Sequence, residues 1–313
     1  MRVLVTGGTG YLGQAIVRAL TARGHEPVVF ARHASRAGLP GRAVNGDVRD
    51  RAALIEAARG CDALCHTAAL VSVWRRDASE FDAVNVGGLE HAVAAAEAAG
   101  LVKVVYTSSF LARPPLGRTA PLRANDYQRT KVLADELAKR ARDAGAPIVR
   151  MYPGVVYGPG TMTEGNLLGR MFQDHRAGRL PGLIGPEHVW SYAWIDDVAD
   201  AHVTAVERAK PGSDYELGGA NVPQQRPFEI VRELGGGDVP RRIPFAVAAV
   251  AGTVEEWWAR LTGHAPRLTR STVEIFRHDW PVDAAAAIRD LNYRVMPLVE
   301  GIQRLLAELG IGH

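Results

Sequence analysis

The sequence predicts an α/β protein: a doubly wound parallel sheet with a smaller, mixed C-terminal substrate domain. Three observations carry that expectation. Short apolar runs alternate with helix-length segments through the first half, a glycine-rich turn follows the first run, and the alternation breaks down after Tyr157-Gly158-Pro159-Gly160. Strands joined by helices of this length pair in parallel, because each crossover must return along the sheet before the next strand begins.

Val3-Leu4-Val5 reads as the first strand and Gly13 to Arg23 as the first helix, ending near Gly24. Pro27-Val28-Val29-Phe30 is the next strand, and Arg51 to Arg59 the next helix. Asp62 to His66 is a strand, followed by an alanine-rich helix from Ala83 to Ala99 that Gly100 stops. Val102 to Tyr106 forms a strand leading into Thr107-Ser108-Ser109. Asn125-Asp126 offers a polar cap for the helix that carries Tyr127 to Lys139, and Pro147 to Met151 supplies another strand. Beyond Gly160 glycine and proline become frequent, and Trp190, Trp194, Trp257, Trp258 and Trp280 all fall there. Asp214 to Gly219 is expected to return as a strand of the main sheet, and Phe245 to Leu261 to form an amphipathic helix over the crevice. That helix is equally readable as an ordinary packing helix or a membrane-surface contact.

A chain of 313 residues with 47% hydrophobic and 23% charged residues can bury a substantial core. The net charge of +3 is small and no basic run with interleaved aromatics stands out, which argues against nucleic-acid binding. The longest apolar stretch, Ile243 to Val254, is interrupted by Pro244 and Gly252 and is too short for a membrane span. Met1 to Val5 runs straight into glycines, with no signal-peptide core. Cys61 and Cys65 are the only cysteines, and four residues of strand hold their alpha carbons about 13 Å apart, beyond disulfide reach. We therefore expect packing thiols, no metal, and a reducing, cytoplasmic setting.

Thr6-Gly7-Gly8-Thr9-Gly10-Tyr11-Leu12-Gly13 lies between the first strand and the first helix. Glycines at 7, 10 and 13 allow a tight turn, close backbone approach to a pyrophosphate, and close packing of helix on strand. The helix N-terminus then presents free amides and the positive end of its dipole to the phosphates. The pattern reads as a Rossmann dinucleotide site, against the alternative of a glycine-rich turn without ligand. An acid at the end of the second strand would bond a ribose 2′-hydroxyl, but Phe30-Ala31-Arg32-His33-Ala34-Ser35-Arg36 contains none. Arg32, helped by His33 and Arg36, is suited to a 2′-phosphate, so NADP is expected, with NAD as the alternative. The dinucleotide domain is expected over 1–160, with returning segments 194–221 and 282–313; 161–193 plus 222–281 is expected to bind substrate.

Only four lysines occur in the chain, so a Tyr-x-x-x-Lys such as Tyr127-Gln128-Arg129-Thr130-Lys131 would arise by chance roughly 0.1 times. Four residues apart on a helix, phenol and ammonium share a face. A neighbouring cation favours the phenolate and lowers the phenol pKa, which suits proton exchange.

With both motifs placed, the chain resembles the extended short-chain dehydrogenase/reductase family (NAD-dependent epimerase/dehydratase type) over nearly its whole length. Gly46-Asp47-Val48-Arg49-Asp50, His66-Thr67-Ala68-Ala69, Asn85-Val86-Gly87-Gly88, Tyr106-Thr107-Ser108-Ser109 and Tyr152-Pro153-Gly154-Val155-Val156-Tyr157-Gly158-Pro159 carry the likeness. Within the family, Ala68 to Trp74, Ser109-Phe110 and Gly178 to Gly182 look most like dihydroflavonol-reductase-like and farnesol-dehydrogenase-like members. The resemblance implies that Asp47 bonds the adenine amine. It also implies cofactor contacts from Thr9, Tyr11, Leu12, Val48, Ala68, Ala69, Asn85, Thr107, Pro153 and Val156. It makes Tyr127 the acid/base, with Lys131 lowering its pKa and holding the nicotinamide ribose, and Ser109 the donor to the substrate oxygen. A homodimer through the Ala83–Ala99 and Tyr127 helices is implied as well.

Two departures bear on substrate. Dehydratases of the family follow the active-site hydroxyl with acidic residues; here Phe110 and Leu111 follow. Sugar-nucleotide epimerases carry a diphosphate-clamping arginine seven positions before the aspartate that matches Asp197; here Trp190 stands there. An indole cannot make bidentate phosphate bonds but can line an apolar pocket. Val71, Trp74, Phe110, Trp190 and Tyr192 are the expected substrate contacts, and Trp194, Trp257 and Trp258 further candidates for its walls. The expected activity is hydride transfer between the cofactor and a lipophilic secondary or allylic alcohol or its carbonyl compound. A sugar-nucleotide epimerase and a non-catalytic dinucleotide-sensing regulator are the alternatives.

Overall fold

The computed structural model describes residues 1–310. The chain begins with β1 (Arg2–Thr6), α1 (Tyr11–Ala22), β2 (Glu26–Ala31), β3 (Arg42–Asn45), α2 (Arg51–Ala58) and β4 (Ala63–His66). A short turn, α3 (Ser79–Phe81), continues through a π-helical stretch Asp82–Gly87 into α4 (Gly88–Ala99). Then come β5 (Lys103–Thr107), α5 (Asp126–Asp143), β6 (Ile148–Pro153), β7 (Val155–Tyr157), α6 (Leu167–Arg176), β8 (Leu183–Ile184) and β9 (Val189–Trp194). The remainder holds α7 (Ile195–Arg208), β10 (Asp214–Leu217), β11 (Ala220–Pro223), α8 (Arg226–Glu233), β12 (Arg242–Ile243), α9 (Phe245–Thr262), α10 (Arg270–Ile275), α11 (Ala285–Leu291) and α12 (Leu298–Glu308).

The main sheet runs β10-β6-β5-β4-β1-β2-β3, with every neighbouring pair parallel. The expected α/β architecture is therefore observed, with a smaller mixed β11-β9-β7 sheet and a β12-β8 pair formed by later segments. Strands β4, β5 and β6 are buried at every position, as strands covered on both faces must be. Their side chains alternate between two cores. Val3 and Val5 join Ile16, Val17, Val198 and Val203 on the α1/α7 face. Leu4 joins Leu54, Leu89, Ala92, Ala134 and Ala138 on the α2/α4/α5 face.

Strand order reverses between β1 and β4, the place where doubly wound sheets bind ligands beyond the carboxyl ends of their strands. The glycine turn and the segment after β4 form its two sides. Gly7 sits at φ 68° with its N–H on the Phe30 carbonyl (3.0 Å), and a Cβ on it would lie 2.7 Å from Ala68 Cα. A Cβ on Gly13 would fall on the Gly7 carbonyl oxygen and stand 2.9 Å from Gly8 Cα. Only hydrogen fits at either position.

Three local differences from the sequence expectation have physical causes. Strand β3 was not expected, because Arg42-Ala43-Val44-Asn45 has little apolar content; it pairs with β2 as the sheet's last strand. The helix expected from Ala83 starts as a π-turn. There Asn85 bonds outward to Leu70 and Thr130 rather than leaving the helix surface free. Finally, Trp257 and Trp258 do not wall a pocket. They stand 61% and 58% exposed on α9, whose buried face consists of Ala248, Gly252 and Ala259.

Gly13→Ala is expected to destabilise the fold by about 1–3 kcal/mol, because the neighbours it meets are backbone and cannot swing away. Urea unfolding should show this as a lowered midpoint, and an unchanged midpoint would refute the close approach.

Candidate active site

The glycine turn makes a cradle. Gly10 N–H donates to the Gly7 carbonyl at 2.8 Å, which closes the turn, and Gln14 Nε2 holds the Thr9 carbonyl at 2.9 Å. Gly10 caps α1 without a side chain to take the first-turn N–H groups, and no acid occupies that turn. The Tyr11, Leu12 and Gly13 end of the helix is thus open to an anion, the arrangement a pyrophosphate requires. Tyr11 turns inward instead, its hydroxyl on the Gly158 carbonyl at 2.9 Å, which ties the cradle to the segment after β7.

At the end of β2, Arg32, His33 and Arg36 are exposed, and Arg32 holds no ion pair among the described residues. Asp47 lies nearby, but its carboxylate is gripped by Arg49 through Nε (3.0 Å), Nη2 (2.6 Å) and the main-chain N–H (2.9 Å). That grip, and beyond it the field of Arg32, holds the Asp47 carboxyl below the usual carboxylate range. An adenine amine at Asp47 must share it with Arg49. Val48 is buried and gives its carbonyl to His91 Nδ1 at 2.9 Å. Ala68 lies against Gly7 with Ala69 just beyond, and Pro153 and Val156 lie at the ends of β6 and within β7.

Asn125 caps α5 by accepting from Gln128 N–H at 2.8 Å, which sets the helix phase. Tyr127 is half-buried, with Ser109 close enough to its hydroxyl to oppose the effect of burial on the phenol. Lys131, 4% exposed, sends Nζ to the Thr107 carbonyl at 3.0 Å. Ser109, buried, accepts from Leu111 N–H at 3.2 Å as the cap of a short 3-10 turn. The fold thus brings Ser109, Tyr127 and Lys131 together where β5 ends.

The electrostatics differ from the spacing argument. Burial pushes the Tyr127 phenol up to about 12, against the opposing effect of Ser109, and Lys131 is not among the groups that move it. Lys131 itself is lowered to about 8 by burial, partly offset by Asp135. The phenol therefore stays protonated at neutral pH, the form that gives a proton away.

A second layer escaped the sequence reading. Asp135, four residues after Lys131 on the same helix face, accepts from Ser108 Oγ (3.3 Å), Tyr152 hydroxyl (2.7 Å) and Arg150 Nη1 (3.2 Å). Arg150 in turn is paired with Asp214 on β10. Asn85 accepts from Leu70 N–H at 2.7 Å and donates to Thr130 Oγ1 at 2.9 Å, pinning the segment after β4 to α5. Buried His202 donates from Nδ1 to the Val198 carbonyl at 2.8 Å, so its Nε2 accepts from Thr107 Oγ1 at 2.9 Å. The i,i+4 step from Lys131 to Asp135 was legible; partners such as Thr107 and His202, far apart in sequence, were not.

Phe110, Trp190 and Tyr192 are 8%, 4% and 5% exposed and belong to one aromatic cluster against which Tyr127 packs. Phe110 meets Trp190 and Trp280 edge-on at 5.9 Å and 5.7 Å, and Trp190 stacks on Phe276 at 4.8 Å. Trp190 Nε1 is buried without a hydrogen-bond partner. Val71 and Trp74 lie half-buried in the segment after β4, while Trp194 is core, edge-on to Tyr157 at 5.4 Å.

A model of the NAD dependent epimerase/dehydratase family matches residues 3–218. The chain is 32% identical to a 2-alkyl-3-oxoalkanoate reductase of Stenotrophomonas maltophilia, covering 98% of this chain and 99% of that protein. It is 31% identical to a 4-hydroxy-2-methyl-3-oxo-4-farnesyl-3,4-dihydroquinoline-1-oxide ketoreductase of Stigmatella aurantiaca, covering 94% and 92%. Among solved structures, that of gox2253 superposes with a TM-score of 0.82 at 28% identity over 98% of this chain and 97% of its own.

Burial holds His66 down to about 3 and His202 to about 4, from an ordinary 6.5. As pH falls from about 6.5 towards 4 the unfolded chain binds protons at both sites and the folded chain does not. Stability is therefore lost on acidification, by up to about 1.4 kcal/mol per pH unit for each histidine. Denaturation across this range should show His202→Asn losing one histidine's share of the slope; equal slopes would mean His202 is not buried neutral.

Proposed function

The chain belongs to the NAD-dependent epimerase/dehydratase family, and on that premise we propose that it interconverts a lipophilic secondary or allylic alcohol and its carbonyl compound, with NADP as hydride carrier. It is an NAD(P)-dependent oxidoreductase; the substrate, the preference for NADP and the roles below are our reading. The observation that carries it is the meeting of Ser109, Tyr127 and Lys131 at the edge of an aromatic cluster that has Trp190 where the sugar-nucleotide epimerases carry their arginine. The names of the relatives point the same way, since an oxoalkanoate with an alkyl branch and a farnesyl ketone both join a carbonyl to a long apolar chain.

The glycine cradle, whose only tolerated side chain at 7 and 13 is hydrogen, fits a dinucleotide; Thr9 to Gly13 would hold its phosphates and Lys131 its nicotinamide ribose. Bound there, the nicotinamide supplies or accepts the hydride. Ser109 donates to the substrate oxygen and fixes its direction. Tyr127, protonated at neutral pH, gives its proton to that oxygen as the carbonyl is reduced and takes one from the hydroxyl in the reverse direction. Val71, Trp74, Phe110, Trp190 and Tyr192 exclude water from the apolar part of the substrate. Asp47 is assigned to the adenine and Arg32 to the 2′-phosphate, because the end of β2 offers an unpaired guanidinium and no acid. The proposed division of labour keeps residues 161–193 and 222–281 on the substrate. A homodimer through α4 and α5 and a cytoplasmic setting complete this reading.

Incubation with NADPH and a panel of long-chain 3-oxo acids and apolar ketones should consume NADPH. Silence towards every ketone, together with epimerisation of a nucleotide sugar, would overturn the reading. Tyr127→Phe should lower kcat by about 10²–10⁴-fold with little change in cofactor affinity; full turnover would remove Tyr127 from the proton path. Arg32→Ala should weaken NADPH by about 10- to 100-fold and leave NADH unchanged. Equal loss for both cofactors would remove the 2′-phosphate contact.

A further inference from the structure

Helix α9 is built inside out. Its buried side is Ala248, Gly252 and Ala259, while Val247, Val250, Val254, Trp257, Trp258 and Leu261 stand between 57% and 66% exposed. At 100° per residue those six large side chains fall within an arc of about 100°, on the side opposite the small ones. Large apolar groups are normally turned inward and small ones tolerated outside, so a continuous ridge of this kind needs something to cover it.

The surroundings indicate what. Two exposed arginines stand at the C-terminal end of the ridge: Arg260 on α9 itself, and Arg76, whose guanidinium approaches Gly263 just past the helix. Nearby Arg242 and Arg277 pair with Glu187 and Glu274, but Arg76 and Arg260 hold no ion pair among the described residues. The two carboxylates of α9, Glu255 and Glu256, face away from the ridge and accept from the main-chain N–H groups of Arg267, Leu268 and Arg270. A second copy seated on this face would bring arginines together with no carboxylate of α9 to meet them. An anionic lipid surface supplies both needs: headgroup phosphates for the guanidiniums and an acyl boundary for the tryptophans.

We propose that α9 is a membrane-surface helix that docks the protein on anionic lipid through Val247, Val250, Val254, Trp257, Trp258 and Leu261. It lies on the interface rather than across it, since no helix among the described residues is long and apolar enough to span a bilayer. Its position is informative. Phe245, at its start, packs beside His188, two residues before Trp190. At its other end the Arg76 guanidinium comes within 3.7 Å of where a Gly263 Cβ would stand, in the same segment as Val71 and Trp74. The helix therefore bridges the two sides of the proposed substrate opening. The docking stands independently of the substrate assignment.

The full chain should co-sediment with vesicles of phosphatidylglycerol in phosphatidylcholine, less so as salt is raised, and not with phosphatidylcholine alone. Its tryptophan emission should shift to the blue on binding. The double variant Trp257→Ser, Trp258→Ser should bind about tenfold more weakly or worse, with an unchanged circular dichroism spectrum and Tm, because both side chains are already in water. Arg76→Gln with Arg260→Gln should lose the salt dependence. A wild-type chain left in the supernatant, or vesicle binding untouched by the tryptophan variant, would overturn the proposal. So would self-association in velocity sedimentation that the tryptophan variant abolishes while no vesicles are bound.

Discussion

Gly13 stands so close to the Gly7 carbonyl that no Cβ fits between them, and Gly7 stands as close to Ala68. These two approaches draw the first helix onto the first strand and the segment after β4 onto the glycine turn. They form at the one place where strand order reverses, so the crevice that the sheet leaves open is floored by backbone rather than filled by side chains. The free first-turn amides of α1, the end of β2 with its arginines, and the end of β5 with its hydroxyls all lie at the carboxyl ends of the strands around that place.

What keeps the gap's far wall in place is a buried polar framework. Lys131 ties α5 to the Thr107 carbonyl, Thr107 ties β5 to His202 of α7, and Asp135 gathers Ser108, Tyr152 and Arg150, with Arg150 reaching Asp214. Each member is satisfied by a named partner, which is the condition under which buried polar groups specify an arrangement rather than merely cost stability. The framework also explains the state of the proton donor. With the ammonium of Lys131 committed to a main-chain carbonyl, the Tyr127 phenol is governed by its own burial and by Ser109.

Aromatic residues serve opposite ends. Phe110, Trp190, Tyr192 and Trp280 close on one another beneath Tyr127, while Trp257 and Trp258 face outward on α9. Composition treats all of them alike. Their separation follows from helix phase: the small residues Ala248, Gly252 and Ala259 are the side on which α9 approaches the body of the protein, so the tryptophans face away.

Local patterns sufficed for much of this molecule. Strand–helix alternation predicted the parallel sheet because each helix-length crossover returns the chain along the sheet to start the next strand in the same direction. Glycines at 7 and 13 predicted the cradle because only hydrogen fits where backbone meets backbone. The spacing of Tyr127 and Lys131 predicted a shared helix face because the α-helix has 3.6 residues per turn. Long-range placement decided the rest. Strand β3 exists because β2 offers it an edge, not because its own residues demand one. Asp47 is held by Arg49 and the Tyr127 phenol stays high, since a pKa depends on burial and on which partner each charge finds. Which indoles are walls and which are surface depended likewise on the side each helix turns to its neighbours, and no stretch of sequence carries that information by itself.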